Sequence, residues 1–358
     1  MTIRVGLIGL NYGARVHVPA YKADPKYELV AVCARTPGRA EEVAREHSIP
    51  RWYSDARDLF HSEDIDLISI ASPPPTHAGY AIAAMAFGKH VVVEVAFAGC
   101  AEDGRVLEEF ARERQRTGAV AYVLRYAPNL RLVSDLLAQQ VIGKPQLMRF
   151  DFFTNFLIRT RQNSRWMWDG DNGGGILAGF ASHVLDLALR WFGPVSEVDA
   201  TLTTLTDPQS IPGTGSLRRR VSLADDTGAV VLHFESGMLA VLNHSAVVAY
   251  PRTNIELHGT EGSLLIEGFG DEVSLLRMEE QTAEVMFTPE QYLEATRGLG
   301  GLEGGFTIFL DQLAAAITTG APPPDLPTFK DGWEVTRLID AAKLASHEHR
   351  RVKLSEVG

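Results

Sequence analysis

Cysteine is almost absent: the 358 residues hold two, Cys33 and Cys100, in unlike contexts. That excludes a disulfide framework and a thiolate zinc site, and it fits a reducing compartment. An excess of positive charge is missing too. The 34 Lys and Arg face 45 Asp and Glu, a formal net charge of −11, whereas a dedicated nucleic-acid surface needs clustered basic side chains. The one basic triplet, Arg218 to Arg220, is short enough to be a solvated turn or strand edge. No run of about 18 uncharged apolar residues occurs; the most apolar stretch, 81–98, is broken by Lys89, His90 and Glu94. The opening MTIRVGLIGLNYG has too short an apolar run for a secretory core and no small-residue cleavage pattern behind it. Metal-ligand spacing is lacking as well. His17, His77, His183 and His244 fall on separate elements, without His-x-x-x-His or Cys-x-x-Cys, so no metal site is expected. These absences point to a cytoplasmic protein with no nucleic-acid, membrane or metal partner.

The composition is that of an ordinary globular chain, 45% hydrophobic and 22% charged. At roughly 100–200 residues per domain it should form about two, expected as 1–124 and 125–358. In the first, continuous apolar runs alternate with helical segments. IRVGLIGL (3–10) precedes a helix from about Ala14 to Ala23, and ELVAVCA (28–34) one around Gly38 to His47. DLISIAS (66–72) precedes a helix around His77 to Phe87, HVVVEVA (90–96) one from about Ala101, and AVAYVL (119–124) adds a last strand. This pattern predicts a doubly wound parallel sheet covered on both faces. After Arg125 come helices from about Asn129 to Gln140 and from Ile176 to Phe192. Period-two runs over 195–278 then predict an open, mainly antiparallel sheet, and helices near 304–319 and 331–346 close an α/β domain.

The first strand runs into Gly9-Leu10-Asn11-Tyr12-Gly13-Ala14, an imperfect G-x-G-x-x-G/A with Asn11 at the second glycine. Asn tolerates the left-handed region best after Gly, so the turn can survive. Gly13 partly compensates by leaving the neighbouring backbone bare, and the following helix offers free N–H groups to phosphate. Placed after the first strand and before further strand–helix units, the turn predicts a dinucleotide fold. Where an acidic residue usually binds the adenosine ribose, the second strand ends Ala34-Arg35-Thr36. With no carboxylate to repel a 2′-phosphate and guanidinium available to pair with it, NADP is favoured over NAD.

The stretches VGLIGLNYGARVHVPA (5–20), IASPPPTHAGYAIAAMAFGKHVVVEVAFA (70–98), GGGILAGFASHVLDLALRWFG (173–193) and HGTEGSL (258–264), with the closing AAAITTGAPPP…DGWEVTRLIDAA, resemble the Gfo/Idh/MocA family of nicotinamide-dependent oxidoreductases. The resemblance implies a Rossmann domain followed by an α/β domain whose open sheet serves as oligomer interface, giving a homodimer or homotetramer. It also implies a sugar, cyclitol or related polyol or ketone as substrate. Gly9, Asn11, Tyr12, Gly13 and Ala14 match the phosphate turn. Ser72, Pro73, Pro74 and His77 match the segment beside the cofactor, and Glu94 matches the glutamate of a Glu-Lys-Pro motif bordering the nicotinamide. Arg35 and Thr36 complete the cofactor set.

Two departures stand out. The motif's lysine is Val95 and its proline Ala96, and the usual aspartate of the second motif falls on Gly179. Valine can neither donate a proton nor stabilise an alkoxide. His183 becomes the leading acid/base candidate, with Glu94 as either a second catalytic carboxylate or a structural one. Asp186, one turn after His183, either orients the ring or stabilises the helix. Tyr122, Arg125, Arg165 and Trp168 are the substrate candidates; Asn155 and His244 are further polar ones. Arg125 can contact a ligand or form an interdomain salt bridge, and Trp168 can carry a sugar ring or pack. The alternatives to an oxidoreductase are an inactive NAD(P)-binding regulator or sensor of the same fold, and an NAD-dependent glycoside hydrolase.

Overall fold

The computed structural model describes residues 2–159, 165–170, 173–206, 224–268, 272–299 and 301–358; the Arg218–Arg220 triplet lies outside them. Six strands form in the N-terminal part, most of them rich in β-branched residues: β1 Ile3–Ile8, β2 Tyr27–Cys33, β3 Arg51–Tyr53, β4 Leu67–Ile70, β5 His90–Val93 and β6 Gly118–Val120. They lie in the order β3-β2-β1-β4-β5-β6, every neighbouring pair parallel. The order reverses direction between β1 and β4, which opens a crevice at the carboxyl ends of those two strands. Val5, Leu7, Leu67, Ile68, Ile70, Val91, Val92 and Val93 are fully buried, as strands covered on both faces require. AVAYVL makes a shorter strand than expected: β6 ends at Val120, and a 3-10 turn follows over Val123–Tyr126. Burial pushes the Cys33 thiol up to about 12, which leaves it inert.

The chain divides into two compact units, one of residues up to 123 plus 306–334, the other of 124–305 plus 335–358. Residues 306–334, expected within the second domain, thus belong with the first. Tyr27 Oη donates to the Leu310 carbonyl at 2.6 Å, and Phe306 packs its ring on His17 at 4.2 Å. Gly118 lies so close to Phe329 that a Cβ would come within 2.5 Å of the ring.

In the second unit, nine strands among the described residues form one mixed sheet. They are β7 Pro145–Phe153, β8 Val195–Thr203, β9 Thr227–Phe234, β10 Leu239–Ser245, β11 Arg252–Gly259, β12 Gly262–Glu267, β13 Glu272–Arg277, β14 Glu284–Phe287 and β15 Val352–Lys353. Their order is β14-β13-β12-β11-β7-β10-β9-β8-β15, antiparallel except where β10 runs parallel to β7. The period-two pattern sorts the faces. Met148, Phe150, Leu232, Leu242, Ile255, Leu257, Leu264 and Leu275 are buried on one. On the other, Leu147 stands beside Leu239, and Leu265 and Leu276 lie further along. Among the described residues no helix is long and apolar enough to cross a membrane, and no group of three His, Cys, Asp or Glu side chains can hold a metal.

Two histidines tie the first sheet's stability to pH. His90 Nδ1 accepts from the Thr117 amide at 3.0 Å, and burial, aided by Arg116, lowers its pKa to about 4. His77 is fully buried, and desolvation holds its pKa below the ordinary value. With folded values below the unfolded one, the unfolded chain takes up protons first as pH falls. This stability is therefore complete above about pH 6.5 and is lost as pH drops toward the folded values. Allowing for the part of the His90 ring open to solvent, its share is about 2 kcal/mol, or roughly 5 °C in melting temperature. Melting scans should be level from pH 8 to 7 and fall from 6.5 to 4.5, with His90→Gln falling less than the parent; identical slopes would contradict this origin.

Candidate active site

The turn after β1 is shaped by one close approach. Gly9 has φ +96°, and a Cβ there would lie 2.4 Å from the Ala71 carbonyl atoms and 2.5 Å from the Ser72 nitrogen, so only glycine closes the turn onto the end of β4. Asn11 does not use the left-handed freedom expected of it. It sits at φ −90°, ψ −78°, so the motif tolerates Asn because that position needs no positive φ. At Gly13 a Cβ would come within 3.3 Å of Ala71 Cβ and Leu7 Cδ1, so its bareness serves helix–strand packing. The helix expected from Ala14 begins at Tyr12 and breaks at Val16, giving Tyr12–Arg15 and His17–Ala23. A turn without a Cβ at position 9, helical N–H groups from Tyr12 onward and a crevice at the switch point fit a dinucleotide pyrophosphate.

At the end of β2, Arg39 is committed: it donates to the Leu10 carbonyl at 3.2 Å and pairs with Glu42 at 2.8 Å. Thr36 accepts from the Arg39 amide through its own carbonyl. Arg35 makes no hydrogen bond or ion pair among the described residues, which leaves it the cation available for a phosphate.

After β4, Pro73 leads into a 3-10 turn over Pro74–Thr76, and Ser72 Oγ bonds Thr76 Oγ1 at 2.6 Å. His77 corrects its expected role. Its ring is fully buried, with Nε2 2.6 Å from the Ser72 carbonyl and Nδ1 2.8 Å from the Ala96 carbonyl. Each nitrogen faces a main-chain carbonyl and the neutral ring donates to one of them, so His77 is engaged with the segments after β4 and β5 and presents nothing to a ligand. Glu94 follows β5, its Oε1 2.8 Å from His17 Nε2 and its Oε2 accepting from the Val95 amide at 3.2 Å. The Val95–Ala96 peptide is cis. His17 as the partner of Glu94 was not foreseen. The available signal was its place one turn past Gly13, on the helix facing the strands.

In the second unit, the helix expected over 176–192 is a π-helical turn, Leu177–Ala181, running into an α-helix, Ser182–Phe192. Its start is held by Asp225, whose Oδ2 accepts from the Ile176 and Leu177 amides at 3.1 and 2.9 Å and from His244 Nε2 at 2.8 Å. Asp225 was missed, and His244 caps through it rather than lining a pocket. His183 lies in the first α-helical turn, 5% exposed. Gly179 sits one turn earlier, and apart from its own stretch of helix no described atom falls within 4 Å of where its Cβ would be.

Arg125 forms a buried bidentate pair with Asp186, Nε to Oδ2 at 2.7 Å and Nη2 to Oδ1 at 2.6 Å. Both belong to the second unit, so this is an internal clamp on the His183 helix and not the interdomain bridge considered above. Trp168 is 7% exposed in an apolar cluster with Leu157, Met167, Ile176 and Ala246, which makes it packing; its neighbour Trp166 is the partly exposed indole. Arg165 opens a 3-10 turn, Arg165–Trp168, with its side chain outside the described set. Tyr122 is buried at 1% in the core of the first unit.

Residues 3–122 match the oxidoreductase family with an NAD-binding Rossmann fold, and residues 130–265 match the GFO/IDH/MocA C-terminal domain. Among curated relatives, the levoglucosan dehydrogenase of Pseudarthrobacter phenanthrenivorans is 26% identical over 95% of each chain. The myo-inositol 2-dehydrogenase of Thermotoga maritima is 28% identical over 99% of each. A solved levoglucosan dehydrogenase in complex with NADH and levoglucosan superposes with a TM-score of 0.88 at 23% identity, covering 99% of this chain and 100% of that one. With both domain matches in chain order and the Rossmann strand order in place, the protein belongs to the Gfo/Idh/MocA family of NAD(P)-binding oxidoreductases.

Proposed function

We propose that the chain is an NAD(P)-dependent oxidoreductase that moves hydride between nicotinamide and a sugar, cyclitol or related polyol or ketone. The observation that carries this is the Cβ-free closure of the Gly9 turn onto the end of β4 at the switch point of the sheet. The sugar- and cyclitol-acting relatives support the substrate class. Gly9, Asn11, Tyr12, Gly13 and Ala14 would hold the pyrophosphate, Arg35 and Thr36 the adenosine ribose, and Ser72, Pro73, Pro74 and Glu94 the nicotinamide half. The bound nicotinamide supplies the hydride acceptor or donor. His183 then takes the hydroxyl proton as the carbinol is oxidised and returns it on reduction, a task within the range of imidazole. The Arg125–Asp186 clamp and the Asp225 cap fix the helix from which it works.

The second reading, a nucleotide-binding regulator or sensor without turnover, draws on Val95 and on the open space beside Gly179, where the family's lysine and aspartate would stand. A polyol panel separates the two: turnover on any member supports the enzyme, and binding of NAD(P) without turnover supports the sensor. The open face of the second sheet, with Leu147, Leu239, Leu265 and Leu276 each 36–39% exposed, supports a homodimer or homotetramer built through it.

Replacing His183 by Ala should lower kcat by about 10²–10⁴ while nucleotide affinity stays put; an unchanged kcat would refute the assignment. Arg35→Asp should move the preference from NADPH toward NADH by about tenfold or more, read from the two dissociation constants. A fixed ratio would show that Arg35 does not read the 2′-phosphate. The double variant Leu265→Glu with Leu276→Glu should lower the mass in sedimentation, and an unaltered assembly would exclude this face as the interface.

A further inference from the structure

Glu94 is held by a buried chain of hydrogen bonds that reaches back across the sheet. Its Oε1 is 2.8 Å from His17 Nε2, and His17 Nδ1 is 2.9 Å from Ser69 Oγ on β4. The imidazole is fully buried, tilted 36° against Phe306 at 4.2 Å and met edge-on by Tyr12 and Tyr21. A carboxylate only accepts, so His17 Nε2 donates to Glu94, while the Ser69 hydroxyl can donate to Nδ1. The Val95 amide donates to the other carboxylate oxygen. Among the described residues no Lys or Arg pairs with Glu94, and Val95 brings no cation. The carboxylate side chain is 12% exposed, neither sealed nor bathed in solvent.

The position of this charge matters in the nucleotide reading, on which the inference rests. With the adenosine over β2 and the pyrophosphate at the turn after β1, the strand order puts the nicotinamide half over β4 and β5. Glu94 is the first residue past β5. The oxidised ring is a cation and the reduced ring is neutral, so a carboxylate with no Lys or Arg partner at that end of the crevice discriminates between them. We propose that His17 and Ser69 hold Glu94 as a fixed anion that makes this protein keep the oxidised nucleotide in preference to the reduced one. His17 is a positioning residue in this scheme, acting only through Glu94.

The test is a pair of dissociation constants, for NADP⁺ and NADPH, measured by calorimetry on the full chain. Glu94→Gln should raise the ratio of the oxidised to the reduced constant about fivefold, mainly by weakening NADP⁺. His17→Leu, which removes the donor, should shift the ratio the same way by less. His17→Gln, which can still donate to the carboxylate, should keep the parental ratio. A merely structural loss weakens both forms alike and leaves the ratio unmoved, so binding of both forms by Glu94→Gln with an unchanged ratio overturns this inference alone. Failure of the parent chain to bind either form overturns the nucleotide reading beneath it.

Discussion

The approach of the Gly9 turn to the end of β4 is the constraint from which the rest of the first unit follows. With a Cβ at position 9 the turn would strike the Ala71 carbonyl at 2.4 Å, and the chain would have to leave the crevice by another path. Because it does not, the residues after β1, β4 and β5 are drawn to one edge. His77 ties Ser72 to Ala96 there, and His17 ties Ser69 to Glu94. Two buried histidines thus brace the wall against which a nucleotide would rest, each spending its ring nitrogens on the protein itself. Buried polar groups held among such partners favour one arrangement, since leaving one unpaired costs its full desolvation.

The second unit fixes its histidine by a different device. Asp225 gathers two amides and an imidazole at the start of the His183 helix, and Arg125 grips Asp186 one turn after it. A buried bidentate pair contributes little net stability against an apolar alternative, but removing one partner is costly. Its service is register: it leaves the helix no freedom to rotate His183 away. The positions of the family's lysine and aspartate hold Val95 and Gly179 in this sequence.

Much of this architecture was legible in the sequence because it is written in local periodicity. Continuous apolar runs gave β1, β2, β4 and β5 close to their observed limits, and alternation gave the outer and inner faces of the second sheet. What escaped detection depends on contacts between distant residues. His17 and Glu94 are 77 positions apart, and Arg125 and Asp186 are 61. Neither pairing leaves a trace in spacing. The return of 306–334 to the first unit is equally silent, since a helix covering a sheet from afar has the same pattern as one covering its neighbour. β3 was missed because its three residues are half exposed at the sheet edge, and the choice between ligand platform and packing for Trp168 stayed open because an indole in a polar loop gives no sign of the cluster beneath it.

The central claim is that the first unit grips a nicotinamide dinucleotide through the Gly9 turn. Titrating the full chain with NADPH and NADH while following nucleotide fluorescence tests it directly. The account expects saturable binding of one nucleotide per chain, lost in a Gly9→Ala variant whose melting transition stays cooperative. Absence of binding by the parent chain, or equal binding by that variant, would contradict it.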